Sequence, residues 1–275
     1  MIPLTSTQNP WIRQLRQLQQ AKGRREQAAF LVEGSHLLQE ALVTGWPLLA
    51  VCFTEAWVTK HPDLWQGIPA EVRQQEVSES VLKQIATTET PDGVVAIAQR
   101  VEASTSLVPG SLGLIMETLQ DPGNLGTLIR VAAATAADGL WLSPDSVDPD
   151  HPKVLRASAG QWFRRPPQVA ESLLDWVEQL NANGIQTLAA VMDPEAELHW
   201  QLDLQQPTVF VLGNEGSGLS QNLLAACSRG VRIPMAAGVE SLNVAMTGGI
   251  LLYEAIRQRQ TPTSSFTAVT GISGI

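Results

Sequence analysis

The chain has 275 residues, of which 44% are hydrophobic and 16% charged, and its formal net charge is -9. A chain of this length can fill two hydrophobic cores, and its composition is that of a globular protein, which argues against disorder of the whole. The acidic charge argues against a protein that coats nucleic acid through bulk charge, since phosphate neutralisation dominates such binding.

The sequence gives little support to membrane insertion or to metal chemistry. No apolar run reaches the roughly 18 residues that cross a bilayer, and the N-terminal stretch lacks the hydrophobic region of a signal peptide. We therefore expect a cytoplasmic protein without membrane contact. Cys52 and Cys227 form no Cys-x-x-Cys pair and the four histidines are scattered, so we expect buried, inert thiols and no metal site.

The first hundred residues predict a small α/β domain. A helix over residues 11–20 is followed by the strand-like FLVEG at 30–34, a second helix at 35–44 and the apolar run LLAVCF at 48–53. Residues 102–113 are rich in Ser, Pro and Gly, which is the composition of a linker. We assign residues 1–105 to this first domain and residues 106–112 to the linker.

The second half predicts a larger α/β domain over residues 113–260. Short strand-like runs at 114–117, 140–143, 187–192, 209–212 and 231–233 alternate with helical stretches. Such alternation favours a mainly parallel sheet flanked by helices. Residues 261–275 have no convincing periodicity, and we expect them to form a flexible tail.

Three polar turns stand at predicted strand-to-helix junctions of the second domain. They are DPGNLGTLIR at 121–130, VLGNEGSGLS at 211–220 and the VESLN opening, at 239–243, of an apolar segment that runs to residue 259. Ligands of open parallel sheets bind outside the carboxyl ends of the strands, and glycines let the backbone approach a ligand closely. We therefore expect the three turns to build one pocket.

Two common nucleotide-binding patterns do not fit these turns. No lysine follows the glycines as a GxxxxGK[ST] phosphate loop requires, so ATP hydrolysis is disfavoured. The glycines at 213, 216 and 218 also lack the GxGxxG spacing of dinucleotide-binding turns. A nicotinamide oxidoreductase is kept only as an alternative interpretation.

Helix-start chemistry offers a simpler explanation of some of these residues. Asn124 is predicted to cap the helix that carries Arg130, and Ser241 and Asn243 are good helix-start residues. Capping together with one surface arginine would then explain all four. The glycine pair at 248–249 needs more, because each glycine costs about 1 kcal/mol relative to alanine inside a helix. A tight helix or subunit contact is the simplest compensation.

Two stretches free of acidic residues concentrate positive charge, one before Glu26 and one between residues 153 and 165. Local basic patches of this kind support contact with nucleic acid in spite of the acidic average. The competing interpretation is a set of solvated helix faces that carboxylates balance in space. The candidates for RNA contact are Arg13, Arg16, Lys22, Arg24, Arg25, Arg156, Arg164 and Arg165.

Taken in this order, the three turns resemble the SpoU (TrmH-type) branch of the SPOUT RNA 2'-O-ribose methyltransferases. DPGNLGTLIRVAAATAADGLWL is similar to the first motif of that family, with its Asn-x-Gly-x-x-x-Arg core, VLGNEGSGLS to the second and RIPMAAGVESLNVAMTGGILLYEAIRQR to the third. The match runs over residues 113–259. The first hundred residues, with FLVEGSHLLQEAL, are similar to the small RNA substrate-binding domain that many members carry.

The resemblance implies a SPOUT domain with a C-terminal deep trefoil knot, a rare exception to unknotted chains. It also implies bent S-adenosyl-L-methionine as cofactor and a homodimer whose active sites form between subunits. By position, the implied cofactor-binding residues are Leu212, Gly213, Asn214, Glu215, Gly216, Ile233, Met235, Ser241, Leu242 and Asn243.

The resemblance assigns catalysis to Arg130, with Asn124, Glu215, Ser241 and Asn243 around it. Methyl transfer to a ribose hydroxyl needs both partners in line and requires no metal. A guanidinium stays protonated in proteins, so we expect Arg130 to stabilise the developing alkoxide or to hold the adjacent phosphate. The segment MTGG at 246–249 departs from the small residues usual in the family, and so do Gln161, Trp162, Arg164 and Arg165, which we place on the RNA-facing surface.

The sequence therefore predicts an RNA 2'-O-ribose methyltransferase. Ribosomal RNA is preferred over transfer RNA as the substrate because of the N-terminal domain. A tRNA 2'-O-methyltransferase and a non-catalytic RNA-binding protein of the same fold are the alternatives that stay open.

Overall fold

The computed structural model describes residues 2–101 and 112–260. The predicted linker at 106–111 and the predicted tail at 261–275 lie outside the described residues. Two sheets organise the described chain, one with four strands and one with seven. Every helix within these ranges is too short or too polar to span a bilayer.

The N-terminal part is built on the four-stranded sheet. Its strands follow the order β1-β4-β2-β3, with β4 antiparallel to both β1 and β2 and with β3 parallel to β2. The predicted α/β organisation is confirmed. In chain order the elements are α1 (Pro10–Arg16), α2 (Ala21–Gln27), β1 (Ala29–Glu33), α3 (Ser35–Val43), β2 (Leu48–Phe53), α4 (Glu55–Lys60), α5 (Pro62–Gln66), β3 (Arg73–Glu76), α6 (Glu79–Ile85) and β4 (Val94–Gln99).

The single helix predicted over residues 11–20 is shorter in the structure. Asn9 caps α1 by accepting the backbone N–H of Trp11, and α1 ends at Arg16, where a 3-10 turn over Gln17–Gln19 begins. The chain then folds back so closely that a Cβ on Gly23 would lie 2.1 Å from the carbonyl oxygen of Gln17. A helix that continued to residue 20 would not let the chain fold back in this way.

The C-terminal part is built on the seven-stranded sheet, whose strands are all parallel in the order β7-β6-β5-β10-β8-β11-β9. This confirms the predicted parallel α/β class. In chain order the elements are β5 (Leu112–Met116), α7 (Pro122–Ala134), β6 (Gly139–Leu142), α8 (Pro152–Ala157), β7 (Gln168–Val169), α9 (Leu173–Ala182), β8 (Gln186–Ala190), β9 (Glu197–Leu198), β10 (Thr208–Leu212), α10 (Gln221–Ala226), β11 (Arg229–Arg232) and α11 (Val244–Arg259).

Three predicted boundaries need correction. The strand β5 begins at Leu112, whose backbone N–H donates to the Asp138 carboxylate at 2.8 Å, so this residue belongs to the sheet and not to the linker. The cap of α7 is Asp121, which accepts the backbone N–H of Asn124, so Asn124 lies inside the first turn. At α11 the cap is Asn243, and Ser241 lies outside the helix.

An aromatic cluster joins the two parts. Phe30 of β1 and Trp46, which follows α3, pack against Trp162, each with ring centroids 5.0 Å apart, and Trp46 also meets Phe163 at 5.7 Å. Edge-on and tilted contacts of this kind add to the free energy gained by burying the rings. Trp162 is thus a buried contact between the two parts and not an RNA-facing residue.

A ring of four charged side chains stands beside this cluster. Arg24 contacts Asp148 at 2.8 Å and Asp150 at 3.3 Å, and Arg100 contacts both aspartates at 2.8 Å. Burial, with the neighbouring Asp148 carboxylate, raises the pKa of Asp150 to about 7, and the two guanidinium groups oppose that rise. The ring ties α2 and the residue after β4 to the segment before α8.

These contacts correct part of the predicted RNA-binding set. Arg24 is only 1% exposed and is paired with aspartates, so its charge does not reach RNA. Arg156 bonds Glu33 at 3.1 Å, and Arg164 forms an ion pair with Glu40, so both help to join the two parts. The predicted residues that lie exposed are Arg13, Arg16, Lys22 and Arg25, together with the ion-paired Arg164, while Arg165 is half-buried.

We expect Arg24→Met to lower the free energy of unfolding by about 3 to 5 kcal/mol, because it leaves buried carboxylates with one cation fewer. Urea unfolding would measure the loss. Lys22→Met on the same helix is the matched control, since Lys22 is exposed and its pair with Glu26 spans 3.7 Å. If both variants unfold at the same urea concentration, the ring does not hold the two parts together.

Candidate active site

A cavity of about 410 Å³ lies at the carboxyl ends of the adjacent strands β10, β8 and β11. This volume is within the range of small-molecule sites. The start of α11 closes one side of the cavity. Its apolar lining comes mainly from Leu212, Val231, Ile233, Leu242, Val244 and Leu251.

The turn after β10 forms the polar side of the cavity. Asn214 and Gly218 exchange two backbone hydrogen bonds, at 3.1 and 2.9 Å, which close the turn. A Cβ on Gly213 would lie 2.3 Å from the carbonyl carbon of Gly218, so this crossing requires glycine. The side-chain oxygen of Asn214 accepts the backbone N–H of Gly216 at 2.8 Å. The turn is thus a closed, internally bonded structure.

A hydrogen-bonded relay joins the three predicted turns. Asn243 donates through Nδ2 to Oδ1 of Asn124 at 3.0 Å, and Asn124 donates through its own Nδ2 to the carboxylate of Glu215. Asn243 also accepts the backbone N–H of Ala245 at 3.0 Å, which holds its side chain at the start of α11. Residues from three distant segments therefore meet at one edge of the cavity.

The position of α11 depends on the glycine pair. A Cβ on Gly248 would lie 2.5 Å from Cδ2 of Leu128 in α7 and 3.2 Å from Cδ1 of Leu212. A Cβ on Gly249 would meet only Val131, at 3.9 Å. The tight helix contact expected from the sequence therefore exists at Gly248 and not at Gly249.

The predicted cofactor-binding residues gather at this cavity. All of them line it except Asn243, which bonds to Asn124 beside it. The lining residues that sequence reasoning missed include Ala190 at the end of β8, Val191 and Met192 directly after it, and Thr247 on α11. The signal for the first three was available, because β8 is a predicted parallel strand whose carboxyl end belongs to the ligand-binding edge.

Arg130 stands apart from the other predicted catalytic residues. It is exposed on α7, and it does not line the cavity. Six residues separate it from Asn124, which is about 9 Å along a helix. Among the described residues 2–101 and 112–260, none forms a hydrogen bond or ion pair with its guanidinium. Within one chain, the structure does not bring its guanidinium to the cavity.

Comparison with known proteins places these motifs in a family. The model of the SpoU rRNA Methylase family matches residues 111–253, and that of the MRM3-like substrate binding domain matches residues 9–96. The chain belongs to the SpoU rRNA methylase family. The relay and the cavity together involve the three turns at 121–130, 211–220 and 239–243, and all three lie within the match to the SpoU model.

Related SpoU proteins extend over nearly the whole chain. An uncharacterized tRNA/rRNA methyltransferase of Synechocystis is 47% identical and covers 93% of this chain and 94% of its own length. The 23S rRNA (guanosine(2553)-2'-O)-methyltransferase RlmP of Bacillus subtilis is 30% identical, with coverage of 92% and 98%. Both parts of the fold are therefore shared with these relatives.

Solved SpoU structures share the fold. An AdoMet-bound rRNA methyltransferase from Sinorhizobium meliloti has a TM-score of 0.84 at 29% identity and covers 94% of this chain and 99% of its own. AviRb from Streptomyces viridochromogenes, in complex with AdoMet, has a TM-score of 0.81 at 29% identity, with coverage of 92% and 98%. The SPOUT fold is confirmed, and the path of the chain through a knot stays a prediction.

We expect Gly248→Ala to destabilise the protein by about 1 to 3 kcal/mol, because the added methyl group overpacks the contact with Leu128. The same change should weaken ligand binding in the cavity, since α11 supplies part of its wall. Thermal unfolding and ligand titration would measure the two effects.

Gly249→Ala is the matched control. Its methyl group has room, and alanine is favoured over glycine in a helix by about 1 kcal/mol. Equal losses of stability in the two variants would contradict the role of Gly248 in placing α11.

Proposed function

We propose that this protein is an S-adenosyl-L-methionine-dependent RNA methyltransferase that methylates a ribose 2'-hydroxyl in ribosomal RNA. The observation that carries the proposal is the relay from Asn243 through Asn124 to Glu215 at the edge of the cavity. Relatives that are named 23S rRNA 2'-O-methyltransferases, and that share both parts of the chain, support ribosomal RNA as the substrate. The cytoplasmic location stays a prediction.

The chemistry of the cavity fits this cofactor. The ionisable side chains that line it, among the described residues, are the carboxylates of Glu215 and Glu240. Negative charge suits a ligand that carries a positively charged sulfur. Apolar side chains and the main chain of the turn after β10 offer what a flat, uncharged ring system requires, namely contact area and directed hydrogen bonds.

The relay holds the site rigid for catalysis. When bound, S-adenosyl-L-methionine supplies a methyl group that a ribose oxygen attacks by direct displacement. Asn124 links α7 to the turn after β10, so the helix that carries Arg130 is fixed relative to the cavity. Such fixed geometry removes the orientational part of the barrier.

Arg130 supplies the positive charge in this mechanism. Guanidinium groups in proteins are cationic and do not act as bases, so the role of Arg130 is to stabilise the alkoxide or to grip the adjacent phosphate. The hydroxyl proton leaves to the phosphate or to water. Because Arg130 does not line the cavity of its own chain, we infer that it serves the cavity of a second subunit.

An exposed apolar stripe on α11 supports such a homodimer. Met246 is 58% exposed and Tyr253 55% exposed, and the half-buried Ile250 lies between them at helical spacing. Val131 on α7, one residue from Arg130, faces Gly249 of α11. Exposed apolar surfaces of this kind mark interaction sites. A second copy bound there would bring its Arg130 towards the catalytic edge.

We expect the purified protein to transfer labelled methyl from S-adenosyl-L-methionine to one ribose of ribosomal RNA. Arg130→Ala should lower kcat by about 100-fold to 1000-fold, which is the loss measured for single charge-stabilising donors. Cofactor affinity should be unchanged, because Arg130 lies outside the cavity. Arg229→Ala is the control, since Arg229 is an exposed arginine at the start of β11.

Three results would count against this assignment. Full turnover by Arg130→Lys would show that the planar guanidinium is not needed. Label in transfer RNA alone would favour the tRNA alternative. Cofactor binding without label in either RNA would favour a non-catalytic RNA-binding protein.

We expect Tyr253→Glu to convert a dimer into monomers, because it places a charge in an apolar contact. Sedimentation velocity would measure the mass, and methyl transfer should fall with the dimer fraction. Val43→Glu is the matched control, because Val43 is 68% exposed on α3, far from this surface in sequence. A wild-type protein that sediments as a monomer would refute the proposed subunit contact.

A further inference from the structure

A polar network outside the cavity supports the turn after β10. Its centre is Asp145, an exposed residue three positions after β6. One oxygen of its carboxylate accepts the hydroxyl of Ser143, and the other accepts the hydroxyl of Thr118 at 2.8 Å. The side chain of Gln120 donates to the Asp145 carbonyl at 2.9 Å. The carboxylate thus holds the loop between β5 and α7 from one side.

The backbone of Thr118 is in an unusual conformation. Its φ is +54°, in the left-handed region that β-branched residues avoid. Two contacts keep it there: its backbone N–H donates to the hydroxyl of Ser143 at 2.7 Å, and its own hydroxyl bonds to Asp145. Asp145 takes part in both contacts, because its carboxylate, together with the hydroxyl of Ser146, also holds the hydroxyl of Ser143.

The carbonyl of Thr118 transmits this conformation to the cavity. It accepts Nδ2 of Asn214 at 2.9 Å. The other end of that amide accepts the backbone N–H groups of Gly216 and Ser217, at 2.8 and 3.1 Å. Asn214, Gly216 and Ser217 line the cavity, whereas Asp145 and Thr118 do not. Asp145 therefore stabilises the turn after β10 indirectly, through Thr118.

We propose that Asp145 is a positioning residue for the cofactor, acting by holding Thr118 in the left-handed conformation that anchors Asn214. The proposal rests on the proposed function, since the cavity is taken to bind S-adenosyl-L-methionine. Asp145 lies after the first family-like motif, which ends at residue 142, and it touches neither the cavity nor the relay.

The test is a rescue experiment with S-adenosyl-L-methionine titration. Asp145→Ala should raise the dissociation constant about tenfold, the effect of losing about one good hydrogen bond at the ligand. Asp145→Asn, which keeps the shape and one acceptor oxygen, should have a smaller effect. Adding Thr118→Gly to Asp145→Ala should bring the affinity back to within about threefold of wild type, because glycine adopts positive φ without strain. Asp175→Ala, an exposed aspartate on α9, is the control.

Rescue by Thr118→Gly separates this role from a general effect on stability. If Asp145→Ala only destabilised the protein, removal of a second side chain would not restore the affinity. An unchanged dissociation constant in Asp145→Ala would overturn the proposal. A loss that Thr118→Gly fails to relieve would overturn it as well.

Amide hydrogen exchange of the free protein distinguishes a failure of this proposal from a failure of the proposed function. If the wild-type protein does not bind S-adenosyl-L-methionine, the proposed function fails, and exchange still tests the network. The amides of Gly216 and Ser217 should exchange faster in Asp145→Ala and slow again in the double variant. Equal exchange in all three proteins would refute the positioning role.

Discussion

The contact between α11 and α7 at Gly248 is the constraint on which the site depends. Cδ2 of Leu128 would lie 2.5 Å from a Cβ at that position, so the backbone of α11 packs directly against this side chain of α7. This approach places Nδ2 of Asn243, the residue directly before α11, 3.0 Å from Oδ1 of Asn124. Hydrogen bonds of the N–H···O type have donor–acceptor distances of about 2.7 to 3.2 Å. A helix displaced by one methyl group would therefore lose both the relay and part of the cavity wall.

The second constraint fixes the N-terminal part relative to the cavity. Aromatic packing supplies the apolar part of that contact, and the ring of Arg24, Arg100, Asp148 and Asp150 adds directional contacts. A buried ion pair is weak evidence for stability, but it disfavours other arrangements, because any shift leaves a charge unpaired. An RNA held by the N-terminal part would thus lie at a set distance from the relay.

The sequence predicted the helices, strands and turns of this fold better than the contacts between residues distant in the chain. Alternating strands and helices, and turns at 121–130, 211–220 and 239–243, led to a parallel sheet with one pocket, because those features are local. The strands β7 and β9 have two residues each and carry no periodicity. Arg24 looked like an RNA-binding residue because its partner, Asp148, lies 124 positions away in the chain. The Thr118 conformation also depends on distant contacts, and nothing in its immediate sequence marks it.

The ion pairs between arginines and carboxylates affect how this acidic protein can bind RNA. Arg24 is buried against aspartates, and the partly exposed Arg156 and Arg164 are paired with Glu33 and Glu40. The exposed cations of α1 and α2, together with the exposed Lys60, Arg73, Lys83 and Arg130, are available for electrostatic attraction. Few phosphate contacts imply modest affinity for RNA in general and a shallow dependence on salt. Recognition of RNA shape suits such a protein, because the spacing between the N-terminal part and the cavity is fixed.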